Sequence, residues 1–85
     1  MTSGHFVYIV RCADGSLYTG YARDPEKRVA AHNAGRGARY TAGRRPVVLV
    51  YSEACESKSD ALRLEHSIKR STRFHKEDLV KRASA

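Results

Sequence analysis

Short β-branched runs alternate along this chain with segments whose apolar residues recur at helical spacing. Residues 5–10, His-Phe-Val-Tyr-Ile-Val, are almost continuously apolar, β-branched or aromatic, which predicts a buried strand. Ala13-Asp14-Gly15-Ser16 is a turn signal, and Leu17-Tyr18-Thr19-Gly20 reads as the returning strand of a hairpin. Gly20 ends that strand and permits either close backbone approach or a positive φ. Asp24-Pro25-Glu26 opens a helix: Asp24 can cap, Pro25 suits the first helical position, and Glu26 favours the positive end of the dipole. The helix should carry Arg28, Val29 and His32 and stop near Asn33-Ala34-Gly35, with Arg28 and His32 on one face.

Residues 35–45 are predicted as a glycine- and arginine-rich loop. Residues 47–51 form a third strand whose continuous apolar run suggests burial on both faces. Ser57 or Ser59 should cap a helix running to about Ser71, with Ala61, Leu64 and Ile68 as its core stripe. At ~100° per residue, Glu65 falls at the edge of that stripe, and Lys69 lies one turn further on the same flank. A last short helix over residues 74–81 is expected to pack Phe74 and Leu79 against the sheet. The order β-β-α-β-α-α predicts an α+β domain: a small three-stranded, mostly antiparallel sheet flanked by helices.

Composition narrows the possibilities. Eighty-five residues suit one domain, spanning residues 1–85 with a core over about 5–80, and 41% apolar residues suffice for one modest core. No apolar run reaches the roughly 20 residues of a membrane span, and residues 1–6 lack the pattern of a secretory leader. Cys12 and Cys55 are far apart and form no CxxC, which fits reduced thiols and a cytoplasmic protein.

The formal net charge is +7, from 16 Lys and Arg against 9 Asp and Glu. Its simplest partner is a polyanion, since neutralised phosphates release counterions. Arg36, Arg39, Arg44 and Arg45 cluster with glycines in the 35–45 segment, where guanidinium groups match phosphate geometry and Tyr40 offers a face for a base. A flexible solvated loop is the alternative reading of the same segment.

The ordered set Phe6-Val7-Tyr8, Tyr18-Thr19-Gly20, Arg28 and Glu65 resembles the GIY-YIG nucleases. In that family two tripeptides lie on adjacent strands, an arginine on the following helix and a metal-binding glutamate on a later one. The stretches Arg28-Val29-Ala30-Ala31-His32-Asn33, Gly37-Ala38-Arg39-Tyr40-Thr41, Arg45-Pro46-Val47 and Ile68-Lys69 further resemble the small stand-alone bacterial members. The resemblance implies a metal-dependent endonuclease acting on DNA, ahead of RNA, in repair or recombination. Tyr8, Tyr18, Arg28, His32 and Glu65 would then be catalytic, with Glu65 holding one Mg²⁺ or Mn²⁺ ion. Gly20, Arg36, Arg39, Tyr40, Arg44, Arg45 and Lys69 would contact the nucleic acid. Hydrolysis of a phosphodiester needs an activated water, stabilised phosphoryl oxygens and help for the leaving oxygen. Glu65 offers a hard ligand, Arg28 a phosphate clamp, and either tyrosine a group to orient or deprotonate water. A free phenol has a pKa of ~10, so a base role needs nearby positive charge. His32 could take or relay a proton near neutral pH.

The chain departs from the family pattern at Phe6 (glycine in the family name), at Thr19 (isoleucine) and at Tyr21 (lysine in some relatives). Many members also carry a C-terminal asparagine. Asn33 is the one asparagine here, leaving that role empty or filled by Lys69 or another residue. Two rival readings are a basic nucleic-acid-binding module without catalysis and an adaptor recruited by a larger repair or translation partner.

Overall fold

The central strand of the sheet is the run the sequence marks as most apolar. In the computed structural model, which describes residues 4–83, β1 (His5–Arg11) lies between β2 (Leu17–Ala22) and β3 (Val48–Cys55), and both pairings are antiparallel. Of residues 1–6, read as lacking a secretory leader, residues 1–3 lie outside the described residues. Val7, Tyr8, Ile9 and Val10 are all buried, because a central strand has a neighbour on each edge and helices on both faces. Burying Val7, Ile9 and Val10 contributes about 1.5–3 kcal/mol each.

Alternation along β1 divides the core in two. Val7 and Ile9 pack with Ala61, Ile68 and Val80 beneath α3 (Lys58–Arg70) and α4 (Arg73–Ala83). Tyr8, Val10 and Cys12 pack with Ala22 and Val47 on the other side, which Val29 of α1 (Pro25–Asn33) helps to cover. Cys12 and Cys55 sit at opposite ends of the sheet as thiols and form no disulfide.

The caps follow the predicted chemistry. Asp24 Oδ1 accepts from Lys27 N at 3.2 Å, with Pro25 at the first helical position. Gly35 follows α1 at φ 83°. Ser57, not Ser59, caps α3 by accepting from Asp60 N at 3.1 Å. Arg11 makes a bidentate pair with Glu77 (2.7 and 3.0 Å), and Arg73 donates to Gly15 O at 3.0 Å; these bonds tie α4 to the β1–β2 turn.

Three expectations are corrected. β3 is an edge strand and not buried on both faces: Val48 is 61% exposed. An apolar run alone does not reveal how many neighbours a strand has. Residues 35–45 are not wholly a loop, since Arg39–Ala42 make one helical turn, α2. Phe74 is 85% exposed. It sits one residue into α4, and helical rotation turns it outward while Leu79 and Val80 face the core.

Candidate functional site

The site straddles the free edge of β2. Tyr8 and Gly20 are direct cross-strand partners in the β1–β2 register. A Cβ at Gly20 would lie 2.4 Å from the Tyr8 hydroxyl, so the phenol occupies the space a side chain would need. Gly20 has no positive φ; of its two predicted uses, close approach is the one realised.

Tyr8, 1% exposed, meets His32 of α1, which is fully buried. The Tyr8 hydroxyl and His32 Nε2 are 2.8 Å apart. The other ring nitrogen, Nδ1, lies 2.7 Å from Thr41 Oγ1 on α2. Gly37 makes room for this imidazole, because a Cβ there would fall 2.0 Å from Nδ1. Burial, followed by the Arg28 charge, pushes the His32 pKa below its ordinary 6.5, so the ring is neutral at neutral pH. Burial also pushes the Tyr8 phenol above its ordinary 10.0; the Arg28 guanidinium beside it opposes that rise, while Tyr18 and Glu65 add to it.

Tyr18, half-buried, is on the same face of β2 as Gly20. Its ring meets His32 edge-on with centroids 5.4 Å apart and stacks on Tyr40 of α2 at 5.8 Å. Arg44 lies 4.0 Å above the Tyr40 ring. From the opposite side of the sheet, α3 brings Glu65 and Lys69 around the β2 edge. Lys69 Nζ is 3.3 Å from Glu65 Oε2 and 5.6 Å from the Tyr18 ring centroid. The Glu65 side chain is 19% exposed, at the margin of the core stripe where helical spacing puts it.

Tyr8, Tyr18, Arg28, His32, Glu65, Gly20, Tyr40 and Lys69 are therefore neighbours along one edge. The remaining arginines differ among themselves. Arg44 is engaged with Asp14 (3.0 Å) and Tyr40 O (2.7 Å), and Arg45 with Ala42 O (2.9 Å) and Asn33 O (3.3 Å), so both help hold the 35–45 segment in place. Arg36 and Arg39 are exposed. Asn33 is used structurally: its amide brackets Val47, donating to Val47 O at 3.0 Å and accepting from Val47 N at 2.7 Å. It does not supply the asparagine of the family pattern.

Sequence reasoning assigned no role to Thr41 or Gly37. The available signal was the stretch Gly37-Ala38-Arg39-Tyr40-Thr41, which resembles the small bacterial members and contains both residues.

Among the described residues, no three His, Cys, Asp or Glu side chains gather as a metal cluster. The donor set is the single Glu65 carboxylate beside open, basic surface. That fits a hard cation such as Mg²⁺, which retains much of its water and shares substrate phosphate oxygens. A groove of about 330 Å³ opens beside Arg28, lined also by Tyr21, Arg23, Asp24 and Lys27, three cations against one carboxylate. A roomier cavity between Asn33 and Pro46 has no carboxylate in its wall.

This combination of fold and site is that of a nuclease-type domain. Residues 4–78 match the family described as the GIY-YIG catalytic domain, and the chain belongs to that family. It is 61% identical over 77 residues to a UPF0213 protein of Staphylococcus aureus, an alignment covering 91% of this chain and 94% of that protein. Among solved structures, it resembles the solution structure of a UPF0213 protein from Bacillus halodurans at 48% identity and a TM-score of 0.59. It also resembles the solution structure of a protein from E. faecalis at 44% identity and a TM-score of 0.61. Each of these alignments covers 91% of this chain and 82% of the other. No helix among the described residues is long and apolar enough to cross a membrane.

Proposed function

We propose that this protein is a divalent-metal-dependent endonuclease that hydrolyses phosphodiester bonds in DNA, with a role in repair or recombination. The observation carrying this reading is the meeting of Tyr8, Tyr18, Arg28 and Glu65, from four different elements, beside the β2 edge, where Arg28 is exposed and Tyr8 lies just beneath the surface. Structural packing alone does not require a carboxylate, a guanidinium and two phenols to converge there. DNA is placed ahead of RNA on the resemblance to family members of repair and recombination.

In this reading Arg28 holds the scissile phosphate and balances charge developing on its oxygens. Glu65 would hold a single Mg²⁺ or Mn²⁺ ion, and that ion would supply Lewis-acid chemistry to the phosphodiester. Lys69, paired with Glu65 at 3.3 Å, would place a second cation beside the phosphate. Tyr8 takes a proton from the attacking water while handing its own to His32 Nε2. The new P–O bond forms as the P–O bond to the leaving sugar oxygen breaks; that oxygen takes a proton from solvent and His32 returns its own to solvent. The raised Tyr8 pKa supports a proton relay over a resting phenolate, because the buried phenol does not hold negative charge unaided. Tyr18 and Tyr40 offer stacked rings beside the phosphate path.

A second reading, a basic nucleic-acid-binding module without catalysis, is favoured by one observation: Lys69 is already paired with Glu65. A cleavage panel separates the two. Purified protein is incubated with single-stranded, duplex and branched DNA, with Mg²⁺, with Mn²⁺ and with chelator. Metal-dependent cutting of any substrate that is lost in Arg28→Ala supports the nuclease. Salt-sensitive binding with no cutting in any lane supports the binding module.

A further inference from the structure

We propose that Thr41 is a positioning residue that fixes the tautomer of His32, so that Nε2 is the acceptor for the Tyr8 proton. The proposal rests on the relay described above and adds what sets its direction. His32 and Thr41 are both fully buried, so no bulk water competes for their bonds. Thr41 Oγ1 lies 3.0 Å from Ala38 O, 3.3 Å from Ala38 N and 2.7 Å from His32 Nδ1. A hydroxyl has one proton to give. Directed at Ala38 O, which has lone pairs for both this proton and the Ala42 N–H, it leaves Oγ1 to accept from Ala38 N and from His32 Nδ1–H. The imidazole, kept neutral, then has Nε2 bare, and Tyr8 O–H donates to it over 2.8 Å.

The opposite tautomer is poorer by a bond. Nε2–H would donate to the Tyr8 oxygen, and Thr41 would turn its proton from Ala38 O to Nδ1. The Tyr8 proton would then have lost its acceptor in a buried setting, where an unmet donor is costly. The groups facing the ring agree with this assignment. Arg28 on the same helix disfavours a second proton, Tyr8 on β1 is the donor, and Tyr18 on β2 makes a T-shaped ring contact. Gly37 completes the cradle by leaving space for Nδ1 to reach Thr41. The device needs no charge of its own. It is a threonine that points a neutral base at a phenol, as second partners orient catalytic imidazoles elsewhere.

The test is a long-range ¹H–¹⁵N correlation spectrum of labelled protein, read together with cleavage kinetics. The His32 signal is identified by its loss in His32→Gln. Wild type is expected to carry its proton on Nδ1. Thr41→Val, nearly the same shape without the acceptor, should move it to Nε2 and lower the single-turnover cleavage rate by about 100-fold, the scale of a misdirected general base. Its DNA affinity should be unchanged. Thr41→Ser should keep the Nδ1 proton and recover most of the rate, a rescue that a merely space-filling role would not give. A wild-type protein with its proton on Nε2, or a Thr41→Val protein that is folded and retains Nδ1–H, overturns the proposal. Nδ1–H in wild type with no cleavage under any condition overturns the nuclease reading and leaves the tautomer assignment supported.

Discussion

Gly20→Ala should damage this protein out of proportion to one methyl group. The added Cβ would sit 2.4 Å from the Tyr8 oxygen, 2.6 Å from its Cζ and 2.9 Å from its Cε2, so the phenol must retreat by about 1 Å to reach ordinary contact. Tyr8 is 1% exposed, with His32 bonded behind it at 2.8 Å, so the ring has nowhere to go without breaking that bond. Overpacking of this kind costs about 1–3 kcal/mol. For a domain of this size that corresponds to a fall in Tm of roughly 5–20 °C. A catalytic group misplaced by about 1 Å loses on the order of 100-fold in rate. Gly43→Ala is the matched control: its φ is −94° and a Cβ there meets nothing within 4 Å, so its stability should stay within about 0.5 kcal/mol of wild type. Calorimetric Tm and single-turnover cleavage check both variants. A Gly20→Ala protein as stable and as active as Gly43→Ala would refute the packing of Tyr8 on Gly20.

Other expectations follow from the same structure. His32 is held below its ordinary 6.5, so on acidification the unfolded chain binds a proton before the folded one does; stability is full above about pH 6.5 and lost as pH falls through the folded pKa. Tyr8 is held above its ordinary 10.0, so stability is full below pH 10 and declines as pH rises toward the folded pKa. Denaturant midpoints against pH check both, and an acid limb of equal slope in His32→Gln would contradict the first. Phe74→Ser should change stability by less than about 0.5 kcal/mol, because the ring is already in water, and a melt several degrees lower would mean that it packs. Nucleic-acid affinity should fall linearly on a log–log plot as salt rises, with a slope that counts the phosphates met. A flat plot would leave the +7 charge without its proposed partner.

What the sequence made legible was local. Asp24, Pro25 and Ser57 act where they stand, because capping is a contact between residues three apart. Glu65 fell where helical spacing put it, with Lys69 one turn on. The β1–β2 hairpin followed from a turn between two β-rich runs. Strand order did not, since nothing local to residues 47–51 tells an edge strand from a central one; burial on both faces was therefore misjudged. Phe74 is exposed although large and apolar, because a residue at a helix start has no periodic partners in the sequence to orient it. His32, read as a helix residue able to relay a proton, is fully buried in a bond network whose far end, Thr41, lies nine residues away in a turn that only tertiary packing creates. The gathering of Tyr8, Tyr18, Arg28 and Glu65 could be expected from the family resemblance, not from composition or periodicity.

The most direct test of the central claim is a paired measurement on Glu65→Gln, which keeps the shape of the side chain and removes its charge. DNA binding and single-turnover cleavage are measured on the same protein, with Mg²⁺ and with Mn²⁺. The account predicts binding within a few-fold of wild type and cleavage reduced at least about 100-fold, the scale of losing a main source of transition-state charge stabilisation. Cleavage by Glu65→Gln at the wild-type rate would contradict the assignment of this sheet edge as the hydrolytic centre.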